Sequence, residues 1–343
     1  MAVVAAADSE VASEALQRLP LDPVELSRYM ALDPETGPSE VRRLSGSIAV
    51  FAVSDPKSAS EELEGHGVEG APVYALGGMN HIGMMQGTDP TPAPRPKYLP
   101  KDIVDGTRVI AVVDSGVANR KGVPDWLAEG VDIGGPEDID PTPGAASHGT
   151  FVAGLLRRYA PNHTIYMARA AEIPVARFTP PHPPTAGRTV TDPTSELHVF
   201  LAMTRLVERL VKAEIEPEAL NLSLGGYVHG PTSMLTLRHA IYYWLEHFDI
   251  PIIAAGGNSN DPRPVFPGAF DEVFAVGALN SELVEVVWDL STQAEVKAPF
   301  RYWVDFRNPG VDQVAPSGKG PNEWVQWSGS SFAAARATAD WVG

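Results

Sequence analysis

The chain of 343 residues contains no cysteine. This absence excludes disulfide bridges, thiolate zinc sites, iron–sulfur clusters and cysteine nucleophiles. Any nucleophilic catalysis must therefore use Ser, Thr, Lys or a carboxylate. The sequence also lacks an apolar run that approaches the roughly 20 residues needed to cross a bilayer.

Positive charge is scarce, since 26 basic residues stand against 43 acidic ones and the formal net charge is −17. Such a surface repels phosphate backbones and anionic lipids, so we expect neither nucleic acid nor a membrane as a partner. The apolar start of the chain has no positively charged segment before it, unlike a secretory signal. We therefore expect a cytoplasmic protein.

Proline and glycine are abundant, with 32 and 31 residues, and indicate a chain rich in turns and loops. Proline is densest in residues 89–104, which predicts an extended linker. The linker separates an N-terminal region, residues 1–88, from a domain over residues 105–343. The N-terminal region is predicted to be a small α+β unit, with helices at residues 22–30 and 58–64 and strands at residues 47–53 and 72–76.

Strands and helices alternate in the region over residues 105–343. The strands are continuous apolar runs, which is typical of a parallel sheet covered on both faces. This order predicts an α/β fold with a doubly wound, mostly parallel sheet. The predicted strands are residues 108–113, 164–168, 219–223, 250–255 and 273–278, and the predicted helices are residues 150–159, 194–213, 233–247 and one from residue 331.

Polar residues follow these strands or begin these helices, at the edge of such a sheet where catalytic groups collect. Asp114 ends a strand, His148 and Ser331 each stand at a helix start, and Asn258 follows a strand. A serine needs a base to take its proton, and a histidine held by a carboxylate is such a base. An Asn amide and the backbone N–H at a helix N-terminus can hold an oxyanion. Taken alone, Asp114 and Asn258 are typical of turns. A lone His148 is typical of a surface or hydrogen-bonded histidine, and a lone Ser331 of a helix cap. The set favours nucleophilic catalysis.

The segments around these residues resemble those of the subtilisin-like serine proteases, and the resemblance covers roughly residues 105 to 343. It implies a subtilisin-like fold, Ser331 as nucleophile, His148 as base, Asp114 as its orienting group and Asn258 as oxyanion donor. The segments that carry it are Val112-Val113-Asp114-Ser115-Gly116-Val117, His148-Gly149-Thr150-Phe151-Val152-Ala153-Gly154, Asn221-Leu222-Ser223-Leu224-Gly225-Gly226, Phe266-Pro267-Gly268, Val273-Phe274-Ala275-Val276-Gly277-Ala278 and Ser328-Gly329-Ser330-Ser331-Phe332-Ala333.

The chain departs from the family pattern in four places. Phe151 stands where a second histidine is usual, and Ala335 where a proline is usual. Residues 280–307 are longer than a compact member needs and could form a hairpin near the substrate cleft. The chain ends twelve residues after Ser331, so we expect the catalytic domain to be short at its C-terminus.

The resemblance also implies a polypeptide substrate that binds as an extended strand. The residues expected to contact it carry no charge, which favours an apolar or uncharged residue before the scissile bond. These residues are Ser223, Leu224, Gly225, Gly226, Ala255 and Gly256.

The proposed chemistry requires no cofactor and no metal. Structural calcium is conceivable at a loop with Asp132, Asp138 and Asp140, because calcium takes oxygen ligands. The spacing of these residues is not specific, so a solvated loop is the favoured interpretation.

The sequence thus predicts a serine endopeptidase that processes a specific polypeptide; the alternative is a catalytically silent subtilase-like binding or regulatory module. The N-terminal region is expected to regulate it, either as a prodomain that docks on the catalytic domain and is removed, or as an attached interaction domain. A prodomain would be cut between about residues 78 and 102, and Ser331→Ala would keep it intact.

Overall fold

The computed structural model describes most of the region from residue 108 onward and parts of the N-terminal region. The described residues are 2–6, 49–53, 56–66, 70–72, 75–76, 88–97, 99, 108–135, 139, 147–170, 194–227, 234–289, 292 and 294–343. The helix predicted at residues 22–30 lies outside them. Among these residues, no helix is long and apolar enough to cross a membrane.

The N-terminal region contains a small antiparallel sheet and a helix. Its strands are β1 (Ala2–Ala6), β2 (Ala49–Val53) and β3 (Gly70–Pro72), in the order β2-β1-β3, and α1 (Pro56–Gly65) follows β2. Two short strands come next, β4 (Ala75–Leu76) and β5 (Thr91–Pro92). The predicted strand at residues 72–76 therefore appears as the end of β3 and as β4.

A nine-stranded sheet forms the centre of the molecule. The remaining strands of the described chain are β6 (Arg108–Asp114), β7 (Val131–Ile133), β8 (His163–Arg169), β9 (Thr194–Ser195), β10 (Ala219–Leu222), β11 (Gly226–Tyr227), β12 (Ile252–Ala255), β13 (Val265–Phe266), β14 (Phe274–Leu279), β15 (Glu285–Trp288), β16 (Glu295–Lys297), β17 (Phe306–Pro309), β18 (Gln313–Pro316) and β19 (Trp324–Trp327). Seven strands of the central sheet are parallel, in the order β7-β8-β6-β10-β12-β14-β17.

Helices cover both faces of this sheet, which confirms the predicted doubly wound α/β fold. Alternate residues of β6 face the two layers, with Val109 and Ala111 in one buried cluster and Ile110 and Val112 in the other. From residue 108 onward, the bounds of the predicted helices and strands agree with the structure to within two residues. The remaining helices are α2 (Asp125–Ala128), α3 (His148–Tyr159), α4 (Glu196–Lys212), α5 (Leu235–His247) and α6 (Ser330–Val342), with a short 3₁₀ turn at Arg120–Gly122.

Two antiparallel additions accompany the parallel strands. The hairpin expected within residues 280–307 is present, because β15 pairs with β16. Its Trp288 also bridges to Ser259, just beyond the carboxyl end of β12. The second addition is the sheet β18-β19-β5, in which residues from the proline-rich segment pair with the strand that leads into α6.

Candidate active site

Asp114 and His148 form a buried hydrogen-bonded pair. Asp114 is the last residue of β6 and His148 is the first of α3, and they are 0% and 2% exposed. His148 Nδ1 lies 2.8 Å from Asp114 Oδ1, which also accepts the Ser115 N–H at 2.7 Å. A carboxylate at Nδ1 places the ring proton there and leaves Nε2 able to accept a proton.

This pair depends on a close approach of two backbone segments. The Ser147 side chain caps α3 by accepting the Thr150 N–H, so the helix begins at His148. In the same first turn of α3, a Cβ atom at Gly149 would lie 2.1 Å from the Gly116 carbonyl oxygen and 3.1 Å from Asp114 Oδ1. Only glycine leaves room for α3 to approach the end of β6 at this distance.

Two aromatic side chains pack against His148, and a third packs against both of them. The His148 ring centroid lies 5.6 Å from that of Trp327, with the rings nearly perpendicular, and 5.4 Å from that of Phe332. Phe151, which stands where the family usually has a histidine, contacts both Trp327 and Phe332. We call Phe151, Trp327 and Phe332 the aromatic wall. Because all three are at least 97% buried, the wall restricts water on one side of the imidazole.

Ser331 lies in the first turn of α6 and is 8% exposed. Its hydroxyl donates to the carbonyl of Ser223 at 3.0 Å, and the Ser223 hydroxyl donates to the Ser331 carbonyl at 2.7 Å. Within the described part of the chain, the Ser331 hydroxyl makes no hydrogen bond to His148. The first N–H groups of a helix lack intrahelical acceptors, so this position favours a developing negative charge.

Asn258 follows β12 in a glycine turn, the Gly256–Asn258 loop. Gly257 has a φ of +97°, a conformation that glycine adopts readily. Its N–H donates to Ser330 Oγ at 3.1 Å, and the Ser330 N–H donates to Asn258 Oδ1 at 2.6 Å. Because the oxygen of the Asn258 amide faces Ser330, the amide nitrogen is its donor end.

The residues predicted to contact substrate lie in three places. Ser223 touches Ser331, whereas the Leu224 side chain is buried in the cluster between the sheet and α4 and α5. Gly225 precedes β11, in which Gly226 pairs with Phe266. Ala255 ends β12 and Gly256 begins the loop that carries Asn258.

Sequence reasoning did not identify several residues at this site. Val265 lies behind Gly257, since a Cβ there would be 2.7 Å from Val265 Cγ2. Arg301 and Trp303 donate to carbonyls of the Gly256–Asn258 loop, and Thr88 hydrogen-bonds to Ser328. The sequence offered one signal for Arg301 and Trp303, the extra length of residues 280–307. An arginine between aromatic residues is not a motif.

Asp132 and His198 are two further titratable groups of the domain. Asp132 lies 3.8 Å from Arg209 Nε, while Asp138 and Asp140 are outside the described residues. No cluster of three or more His, Asp or Glu side chains within the described ranges is arranged to hold a metal ion. On α4, burial and the charges of Arg205 and Arg169 lower the pKa of His198 to about 4.

Comparison with known proteins places the chain in a family. The model of the subtilase family of peptidases matches residues 105–340, well over half of the chain. No curated protein matches it. Among solved structures, the prenylagaramide maturation protease PagA is 19% identical with a TM-score of 0.48, over 69% of this chain and 74% of that one. A lanthipeptide protease is 16% identical with a TM-score of 0.49, over 68% and 71%. Through the family match, the chain belongs to the subtilase family and is a subtilisin-like serine endopeptidase.

Proposed function

We propose that Ser331, His148, Asp114 and Asn258 carry out the peptide hydrolysis. The observation that supports this most directly is the buried 2.8 Å contact between His148 Nδ1 and Asp114 Oδ1, beside the helix start that bears Ser331. A buried carboxylate at that nitrogen orients the imidazole and stabilises its protonated form.

In the proposed reaction, the Ser331 hydroxyl turns from the Ser223 carbonyl to His148. Nε2 takes the hydroxyl proton while Oγ bonds to the peptide carbonyl carbon. The Asn258 amide and the Ser331 N–H donate to the carbonyl oxygen as it becomes negative. His148 then returns the proton to the leaving amine, the C–N bond breaks, and a water molecule hydrolyses the acyl-enzyme by the same route.

The substrate is proposed to be a specific polypeptide that binds as an extended strand near Ser223–Gly226. Ala255 and Val265 near the loop carry no charge, which supports an apolar or uncharged residue before the scissile bond. Peptides that differ only at this residue test it: Leu or Phe should be cut with a higher kcat/KM than Lys or Asp. The opposite order would refute the preference for an apolar or uncharged residue before the scissile bond. A cytoplasmic site of action remains a prediction of the sequence.

A fluorophosphonate probe tests the catalytic assignment, because it reacts only with an activated serine hydroxyl. We expect one adduct on Ser331, located by peptide mass spectrometry, and none in Ser331→Ala or His148→Ala. Ser328→Ala is the matched control: it removes a serine three residues away and should label like the wild type. A folded wild-type protein that does not label would support the alternative of a silent binding module.

We also propose that the N-terminal region docks on the catalytic domain and is removed by self-cleavage. β4 pairs with β9 immediately before α4. Thr88 N–H donates to the Ser328 carbonyl at 3.1 Å, and the Ser328 N–H donates to Thr88 Oγ1 at 3.1 Å. β5 runs antiparallel to β19, so the chain from Pro92 back to Thr88 leads towards Ser331. This arrangement supports cleavage between Leu76 and Thr88.

Intact-mass measurement tests the cleavage. Wild-type protein should lose a fragment that ends between Leu76 and Thr88, at a rate independent of protein concentration. Ser331→Ala should stay whole, also when the active enzyme is added to it. A wild-type chain that stays whole while it labels with the fluorophosphonate would favour an attached interaction domain.

A further inference from the structure

The three successive carbonyls of the Gly256–Asn258 loop all accept hydrogen bonds from one segment of the chain. The Trp288 N–H donates to Asn258 O at 2.7 Å, and Trp303 Nε1 donates to Gly256 O at 3.1 Å. Arg301 Nη1 donates to Gly256 O at 3.0 Å and to Gly257 O at 2.8 Å. We call residues 285–303 the loop clamp. The loop that carries Asn258 is therefore held at its backbone carbonyls by donors that are distant in sequence.

Arg301 is the charged member of the clamp. It is 2% exposed, and its Nη2 forms an ion pair with Glu285, a residue of β15. A buried guanidinium needs a partner to offset its lost hydration, and Glu285 supplies the opposite charge. The planar guanidinium can bind two carbonyls and a carboxylate together, which a lysine ammonium on a flexible stem cannot do with the same geometry.

The clamp connects to the groups that would meet the oxyanion. The peptide unit whose carbonyl accepts from Arg301 at Gly256 also contains the Gly257 N–H, which donates to Ser330 Oγ. The Ser330 N–H in turn donates to Asn258 Oδ1. A shift of the glycine turn would therefore change both the direction of the Asn258 amide and its contact with the first turn of α6.

We propose that Arg301, held by Glu285, is a positioning residue that sets the direction of the Asn258 amide during catalysis. The inference rests on the proposed function, because it requires Asn258 to be an oxyanion donor. Arg301 touches neither substrate nor reacting atoms in this role and acts through the Gly256–Asn258 loop. Its loss should lower kcat while KM changes little, since the oxyanion exists only after attack.

The variant Arg301→Lys tests the role, measured as kcat and KM on a peptide substrate of the wild type. We expect kcat to fall about tenfold or more, because small displacements of a preorganised donor are costly, and KM to stay within about twofold. Arg307→Lys is the matched control. Arg307 also pairs with Glu285, at 2.7 Å, but its side chain is 39% exposed and does not touch the loop, so kcat should not change.

A double-mutant cycle with Asn258→Ala separates positioning from general structural support. If Arg301 acts through Asn258, Arg301→Lys should lower kcat by less than about twofold in the Asn258→Ala background. An equal loss in both backgrounds would overturn the proposal, as would an unchanged kcat in Arg301→Lys. Asn258→Ala alone should lower kcat about 10²–10³-fold; if it does not, the oxyanion assignment itself fails, which is a distinguishable result.

Glu285→Gln provides a second route if Arg301→Lys does not fold, as judged by thermal unfolding. It keeps one oxygen acceptor for Arg301, removes the opposing charge and replaces the oxygen that accepts from Arg307 by an NH2 group. We expect a smaller fall in kcat than in Arg301→Lys, again absent in the Asn258→Ala background. An effect of equal size in both backgrounds would contradict the positioning role.

Discussion

The two halves of the candidate site are held in place by different forces. The histidine half, Asp114 and His148, lies where two backbone segments touch and aromatic rings enclose the imidazole. The serine half, Ser331 and the Gly256–Asn258 loop, is held by hydrogen bonds from the loop clamp and from α6. The first half is fixed by packing and the second by donors and acceptors.

The difference matters because the two forces respond differently to change. The repulsion energy between two atoms in close contact rises steeply when they approach by a few tenths of an ångström. One added methyl group can therefore separate the Asp114–His148 pair. A hydrogen bond tolerates small displacements but leaves an unsatisfied buried group when a partner is removed. We therefore expect added atoms to damage the histidine half, and lost donors to damage the serine half.

The largest expected effect is on kcat/KM, and it is seen when a methyl group is added to the histidine half but not when one is added to the serine half. Gly149→Ala should lower kcat/KM by on the order of 100-fold, because the new Cβ would lie 2.1 Å from the Gly116 oxygen. Gly329→Ala adds the same group beside Asn258, where its closest neighbour would be 3.4 Å away and the backbone is extended, with a φ of 166°. It should retain activity within a few fold. Equal losses in the two variants would break the comparison.

The next effect concerns the aromatic wall and is one of stability. Phe332→Ala removes a ring that is 2% exposed and contacts His148, so the free energy of unfolding should fall by about 3–5 kcal/mol. Phe300→Ala removes the same ring from the loop clamp, where it is 88% exposed, and should change stability by less than about 0.5 kcal/mol. Urea unfolding measures both. A small loss in Phe332→Ala would show that packing does not support the histidine half.

The smallest expected effect is a loss of folding stability at acid pH. It arises from His198, which belongs to neither half of the site. His198 lies on α4, and its pKa of about 4 in the folded state is below the ordinary value of 6.5 because burial disfavours its charged form. Below pH 6.5 the unfolded chain therefore binds a proton that the folded chain does not. The stability that comes from keeping His198 neutral is present above pH 6.5 and is lost as pH falls towards 4. The free energy of unfolding should therefore fall by about 2 kcal/mol between pH 7 and pH 5.

His198→Gln should remove this part of the pH dependence of stability, measured by urea unfolding at pH 7 and pH 5. Other groups titrate alike in the variant and the wild type, so the difference in slope isolates His198. The pH dependence of activity should be the same in both proteins. An unchanged stability slope would contradict the assignment of His198.

Much of the fold follows from local sequence patterns. The apolar runs around residues 108–113 and 250–255 predict β6 and β12 because a strand covered on both faces must be apolar throughout. The polar residues directly after those runs could then be named as candidates, since the ends of parallel strands share one edge. The contacts between them could not be measured from sequence.

The loop clamp could not be predicted in the same way. Arg301 is 44 residues from Gly257, and an arginine beside exposed aromatic residues is usually a solvated side chain. Thr88 and Ser328 are 240 residues apart, and Thr88 lies in no motif. Such contacts arise only when the chain folds and brings unrelated segments together.

The sequence by itself determined the kinds of chemistry open to this protein and the segments that carry them. Without cysteine, and with Asp114, His148, Asn258 and Ser331 at strand and helix ends, serine chemistry was the main candidate. Only the tertiary structure decided the 2.8 Å contact of Asp114 with His148, the direction of the Asn258 amide and the burial of Arg301. The physical reason is that residue type and local periodicity are properties of short segments, whereas distance, burial and hydrogen-bond partners depend on residues far apart in the chain.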